Sequence, residues 1–182
     1  MNKNIKDKSL MLYSDSKYGY RTLENSLALT LIRGSYDPDP YPEIGMHKFI
    51  ITVGLTDIRS NKTLIEKSSC ILHPLISMSV KPQSGKLPLE GSFITVKEAG
   101  TCVISSVKMS DLDTEKTVIR LYETENMISN SIISFGRKIK SAKKVMLDEV
   151  TEIKESELSF SDEDITIQVN PYCISTVLIE FI

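Results

Sequence analysis

The stretch "SLALTLIR", Ser26–Arg33, alternates small or apolar side chains with a period of two. Leu27, Leu29 and Leu31 fall on one face of an extended chain and Ala28, Thr30 and Ile32 on the other, which is the pattern of a β-strand rather than of a helix. The same period recurs in "SLMLY" (9–13), "KFIITVGL" (48–55), "SFITVK" (92–97), "TCVISSVKM" (101–109) and "TVIRLYE" (117–123). It continues in "NSIISF" (130–135), "KKVML" (143–147), "DITIQV" (164–169) and "ISTVLIEFI" (174–182). About ten short strands result, each near the ordinary strand length.

Between them lie "DPDPYPEIG" (37–45), "KPQSGKLPLEG" (81–91) and "SDED" (161–164), rich in the residues that set or permit turn dihedrals. No segment shows a sustained apolar stripe at helical spacing. "GRKIKSAKKVMLDEV" (136–150) has too few apolar positions for a helical face. The predicted fold is an all-β sandwich of mostly antiparallel strands. With 182 residues, no internal repeat and no low-complexity linker, the chain is expected to form one domain over residues 1–182.

A hydrophobic share of 41% and a charged share of 25% are those of an ordinary globular protein. The net charge of −2 provides no basic field for a phosphate backbone, so nucleic acid is not an expected partner. No apolar run approaches the ~20 residues that cross a bilayer, and "MNKNIKDK" (1–8) lacks the apolar core of a signal peptide. The expectation is a soluble, cytoplasmic protein with no membrane partner. Cys70, Cys102 and Cys173 are odd in number and form no C-x-x-C pair, so they read as reduced core residues.

The only two histidines, His47 and His73, stand in no metal-binding spacing, and no metal site is expected in this chain. The nucleophile elbow G-x-S-x-G and the glycine-rich phosphate loops are absent. Two carboxylate pairs at i, i+2, Asp37 with Asp39 and Glu123 with Glu125, would share a strand face. A catalytic role would need burial that raises one pKa, and the plainer reading is a solvated face. Arg120, between Val118 and Tyr122 on one strand face, either pairs with a carboxylate in a partly buried site or lies on a wet face. "GRKIKSAKK" (136–144) holds five basic residues and reads as a solvated strand, with Lys138, Lys140 and Lys143 guarding an edge against pairing with a second copy.

The order of motifs then carries a resemblance. In "LYSDSKYGYRTLENSLALTLIRGSYDPDPYPEIGMHKF" (12–49) a strand leads to an Asp-x-Lys-Tyr-Gly-Tyr turn. A Leu-alternating strand, a Tyr-x-x-Asp-Pro loop and Gly-x-His-x-Phe follow. This order resembles the start of the C-terminal β-domain of the α-mannosidases of glycoside hydrolase family 38, cytosolic and bacterial type. "VIRLYETE" (118–125) and "NPYCISTVLIEFI" (170–182) resemble its later strands, so the likeness runs from Leu10 to Ile182.

The resemblance implies a sandwich of the galactose-mutarotase-like, mannosidase C-terminal type. It also implies a parent enzyme that hydrolyses terminal α-D-mannosides with retention, through a covalent glycosyl-enzyme and a bound zinc. The family's nucleophile and zinc ligands belong to an N-terminal α/β domain, so no catalytic residue and no cofactor are expected in this chain, and that domain is its expected partner. Lys17, Tyr18, Tyr20, Arg21 and Asp37 are then expected at the face toward the catalytic domain or at the rim of its sugar pocket. Tyrosine rings, Tyr13 included, can stack on sugar C–H faces, and the cationic groups can donate to hydroxyls. A tight turn whose tyrosines pack on their own sheet is the alternative. A free-standing carbohydrate-binding module is the rival function, disfavoured by an aromatic share of 7% and no Trp.

Overall fold

The computed structural model describes residues 8–34, 37–41, 43–154 and 157–182, so the amino-terminal stretch and part of the Tyr-x-x-Asp-Pro loop and of 37–45 noted above lie outside the described residues. The architecture is all-β, with 44% of residues in strands and 7% helical. Two compact units divide the chain: unit 1 comprises 1–59 and 66–76, and unit 2 comprises 60–65 and 77–182.

Unit 2 is a sandwich of two four-stranded antiparallel sheets. One holds β5 (Ile94–Glu98), β8 (Ser129–Phe135), β10 (Leu158–Ser161) and β11 (Asp164–Val169) in the order β10-β11-β8-β5. The other holds β6 (Cys102–Met109), β7 (Lys116–Glu123), β9 (Ile139–Val145) and β12 (Ile174–Phe181) in the order β6-β7-β12-β9. Alternation sends one face of each sheet inward. Ile165 pairs across the strands with Ile133 and Val177 with Ile119, and all four are fully buried. Leu121, Ile167, Val169 and Ile179 join them in one apolar cluster, closed by the tilted Phe135–Phe181 ring pair at 5.4 Å.

Unit 1 contains two antiparallel ribbons. β1 (Ser9–Ser14) pairs with β4 (Ile51–Thr56), and β2 (Tyr20–Leu23) with β3 (Ser26–Leu29). The stretch that reads best as a strand is therefore only half strand. Past Leu29 a single further bond, from the Thr30 N–H to the Gly19 carbonyl (2.8 Å), extends the pairing. The hairpin partner β2 has only four residues, too short to hold 30–33 as a strand.

Three further expectations are corrected. Asn61–Leu72 is a helix, α1, where no helical stripe was expected; it has no buried residue, because its apolar positions are too few to cover a core. The strand placed at 143–147 begins earlier, at Ile139. Only Cys102 is a core cysteine, while Cys70 and Cys173 are exposed thiols. Ile167, wholly buried between the two sheets, is the cleanest probe of the core. Ile167→Ala is expected to lower the stability of unit 2 by ~2–5 kcal/mol in urea denaturation, through lost transfer energy and the cavity left behind.

Candidate functional site

In unit 1, the turn from Ser14 to Tyr20 is organised by Asp15, the first residue of the Asp-x-Lys-Tyr-Gly-Tyr turn, to which the motif reading gave no role of its own. Asp15 accepts from the Ile50 N–H (2.9 Å) and from the Ser16 hydroxyl (2.9 Å), while its own N–H donates to the Ile50 carbonyl (3.2 Å). The Ile50 N–H, with the Ser16 hydroxyl behind it, holds the Asp15 carboxyl below the usual range. A charge without these bonds would not fix the turn. The legible signal was the Ser-Asp-Ser run, whose short polar side chains favour local bonding to backbone.

Around that anchor, the Lys17 ammonium sits 5.4 Å from the centroid of the Phe49 ring, a cation–π contact. Tyr18 is 84% exposed. Tyr20 is partly exposed, and its hydroxyl oxygen accepts the Ser14 N–H at 3.0 Å, so its polar end is tied to its own turn. Arg21 lies exposed on β2 opposite Ala28. Asp37, exposed, precedes Pro38 through a cis peptide bond. The turn thus places Lys17, Tyr18, Tyr20 and Arg21 on one short segment, with Tyr18 the most open of the three tyrosines.

In unit 2, the Glu123/Glu125 pair proves to be structural. Glu123 is buried, and its carboxylate accepts from the Thr101 hydroxyl (2.7 Å) and from the N–H groups of Glu125 (2.7 Å), Asn126 (2.9 Å) and Tyr172 (2.9 Å). Burial works against its charge, but these donors prevail and lower its pKa to about 2. Such a group is a permanent anion and not a proton donor near neutrality. Glu125 accepts from the Lys62 N–H (2.9 Å) and the Ser60 hydroxyl (2.8 Å), which caps the first turn of α1; Ser60 in turn accepts the Thr63 N–H.

Arg120 takes the first of its two expected forms. Its Nε donates to the Thr176 hydroxyl (3.1 Å) and its guanidinium lies 3.7 Å from the buried Glu149 carboxylate, which also pairs with Lys108 at 2.7 Å. Beside this network a groove of about 450 Å³ opens over β7, β12 and β9, floored by Leu178 and walled by Lys116, Lys143, Glu152 and Glu180. Its lysines pair with its own acids: Lys143 with Glu152 at 2.9 Å and Lys116 with Asp113 at 2.8 Å. Among the described residues, no group of three His, Cys, Asp or Glu side chains is placed to hold a metal ion, so these residues do not fit a zinc centre. Among the described residues, no helix is long and apolar enough to cross a membrane.

The arrangement defines an antiparallel β-sandwich domain whose charged side chains serve mainly to tie its own loops. Comparison with known proteins shows what this domain is similar to. Residues 101–177, which run from β6 into β12, match the family of glycosyl hydrolases family 38 C-terminal beta sandwich domains. Alpha-mannosidase G of Dictyostelium discoideum is 28% identical over 178 residues, covering 93% of this chain and 16% of that protein. Residues 101–177 of the unit 2 sandwich carry this likeness, and the chain spans only 16% of the length of the relative it matches.

The Glu123 bracket makes acid stability a direct readout. A carboxyl held near 2 when folded and near ~4.3 when unfolded favours the fold fully above the upper value and loses that contribution as pH falls through the lower. Glu123→Gln is expected to melt several degrees lower at pH 7, with the gap to the parent chain closing toward pH 2, as thermal unfolding across pH would record.

Proposed function

We infer that this chain is the non-catalytic C-terminal part of a family-38 α-mannosidase, acting as one functional domain that packs on and borders the catalytic α/β domain in the cytoplasm. The observation that carries the reading is the exposed apolar surface. Met46 and Leu75 in unit 1 are fully exposed, and in unit 2 Leu89 is wholly exposed and Met78 is 82% exposed. Large apolar side chains left this open on a domain that fills one sixth of its relative suit a surface closed by the remainder of such an enzyme. In this reading the parent hydrolyses terminal α-D-mannosides with retention. Its nucleophile and zinc ligands belong to the catalytic domain, while Lys17, Tyr18, Tyr20, Arg21 and Asp37 lie toward that domain or its sugar pocket. A chromogenic α-mannoside, supplied with zinc, is expected to be hydrolysed by the mixture of this chain with the polypeptide encoded immediately upstream, and by neither alone. Hydrolysis by the lone chain would overturn the placement of the catalytic residues. Silence in the mixture, with the upstream polypeptide shown to be folded, would overturn the buttress role.

The exposure of Tyr18 favours a second reading, a free-standing carbohydrate-binding module that stacks a sugar on its open ring. Calorimetric titration of the lone chain with mannosides separates the two. Heat that Tyr18→Ala abolishes supports the module, and no heat with either chain excludes it.

A further inference from the structure

The β1–β4 ribbon of unit 1 exposes an apolar face. Residues directly opposite in an antiparallel pair share a face, so the register Leu10↔Leu55, Leu12↔Val53 and Ser14↔Ile51 places five large apolar side chains on one side. Leu10, Val53 and Leu55 are each more than half exposed, at 56%, 64% and 55%. The face carries no charge. Among the described residues neither strand has a second hydrogen-bonded neighbour, and an isolated two-stranded ribbon is at best marginally stable in water.

The edges of this ribbon are also unlike those of the sandwich. In unit 2 the edge strand β6 carries Lys108, β5 carries Lys97 and Glu98, and β9 carries Lys140, Lys143 and Lys144, while β10 is only four residues long. These are the usual guards against strand pairing between molecules. β1 "SLMLYS" and β4 "ITVGLT" are six residues each and hold no charge and no proline. A sequence that guards its long edges in one unit and leaves them bare in the other marks the bare edge as one meant to be paired.

We propose that the β1–β4 ribbon docks a β-strand of the catalytic polypeptide, which extends the ribbon by main-chain hydrogen bonds and covers Leu10, Leu12, Ile51, Val53 and Leu55 with alternating apolar side chains. The proposal rests on the buttress role inferred above and names the surface that carries it. The occupant is assigned to the remaining polypeptide because the matched relative is about six times longer than the segment this chain covers, and because the face is uncharged and so suited to a core-like partner.

Hydrogen–deuterium exchange of this chain, alone and with the polypeptide encoded immediately upstream, tests it. Amides of Ile51–Thr56 are expected to slow at least tenfold in the complex. Val53→Asp is expected to raise Kd at least tenfold, and Val53→Thr, which keeps the branched shape and strand propensity, several-fold, with the melting of the sandwich unchanged in both. A complex in which the ribbon stays unprotected and both variants bind normally overturns this surface and leaves the buttress role standing. Failure of the two polypeptides to associate overturns both. Ribbon protection that grows with the concentration of the lone chain assigns the face to a second copy and overturns the proposal.

Discussion

The Glu123 carboxylate joins three loops of unit 2 that are distant in sequence. Its four donors come from the end of the β5–β6 turn, from its own chain just past β7 and from the turn before β12. A buried anion without them would cost more than the loops could return. The backbone bends to serve it. Asn126 and Tyr172, both donors, adopt left-handed conformations at φ 60 and 51. Gly100 at φ 51 passes so close to the Ser129 hydroxyl and the Asn130 carbonyl that a side chain would overlap both. The next residue, Thr101, uses its N–H on Ser129 (2.8 Å) and its hydroxyl on Glu123, so the glycine sets the approach that the bracket needs.

Below that bracket the sandwich divides its two sheet faces between distinct tasks. The inner faces are mostly apolar and buried. The outer face of the β6-β7-β12-β9 sheet is polar but partly covered, because Glu149, in a left-handed turn at φ 63, reaches Lys108 and Arg120. Lys108 and the Asp111 N–H overcome the effect of burial and keep the Glu149 carboxyl below its usual range. These charges close a loop over the sheet, and the groove beside it is walled by pairs already satisfied within the chain. Charge here serves architecture.

Unit 1 follows another logic. Its turn is held by Asp15 and its hairpins by short ladders, but its apolar side chains face outward, and its long strands lack edge charges. Covering apolar surface of this kind is favourable. The two units therefore differ in what their burial depends on: the sandwich encloses its own core, whereas the ribbon presents one.

Much of this was legible before any coordinates. Period-two alternation located β6, β7, β8, β11 and β12 closely, since each has one buried and one wetter face and the pattern is the direct imprint of that asymmetry. Motif order led to the family that residues 101–177 match. Helix α1 escaped because its start depends on the Glu125 carboxylate capping Ser60 and Lys62, more than sixty residues away, and not on an apolar stripe. The strand at Ser26–Arg33 was overextended because alternation reports what a residue prefers, while a strand's length is set by the partner it pairs with. The same limit governed the carboxylates. The i, i+2 spacing of Glu123 and Glu125 was plain in the sequence, but whether it made an acid, a solvated face or a bracket depended on donors brought in from Thr101, Tyr172 and Ser60. Local chemistry is written residue by residue; a pKa is decided by neighbours that only the folded chain assembles.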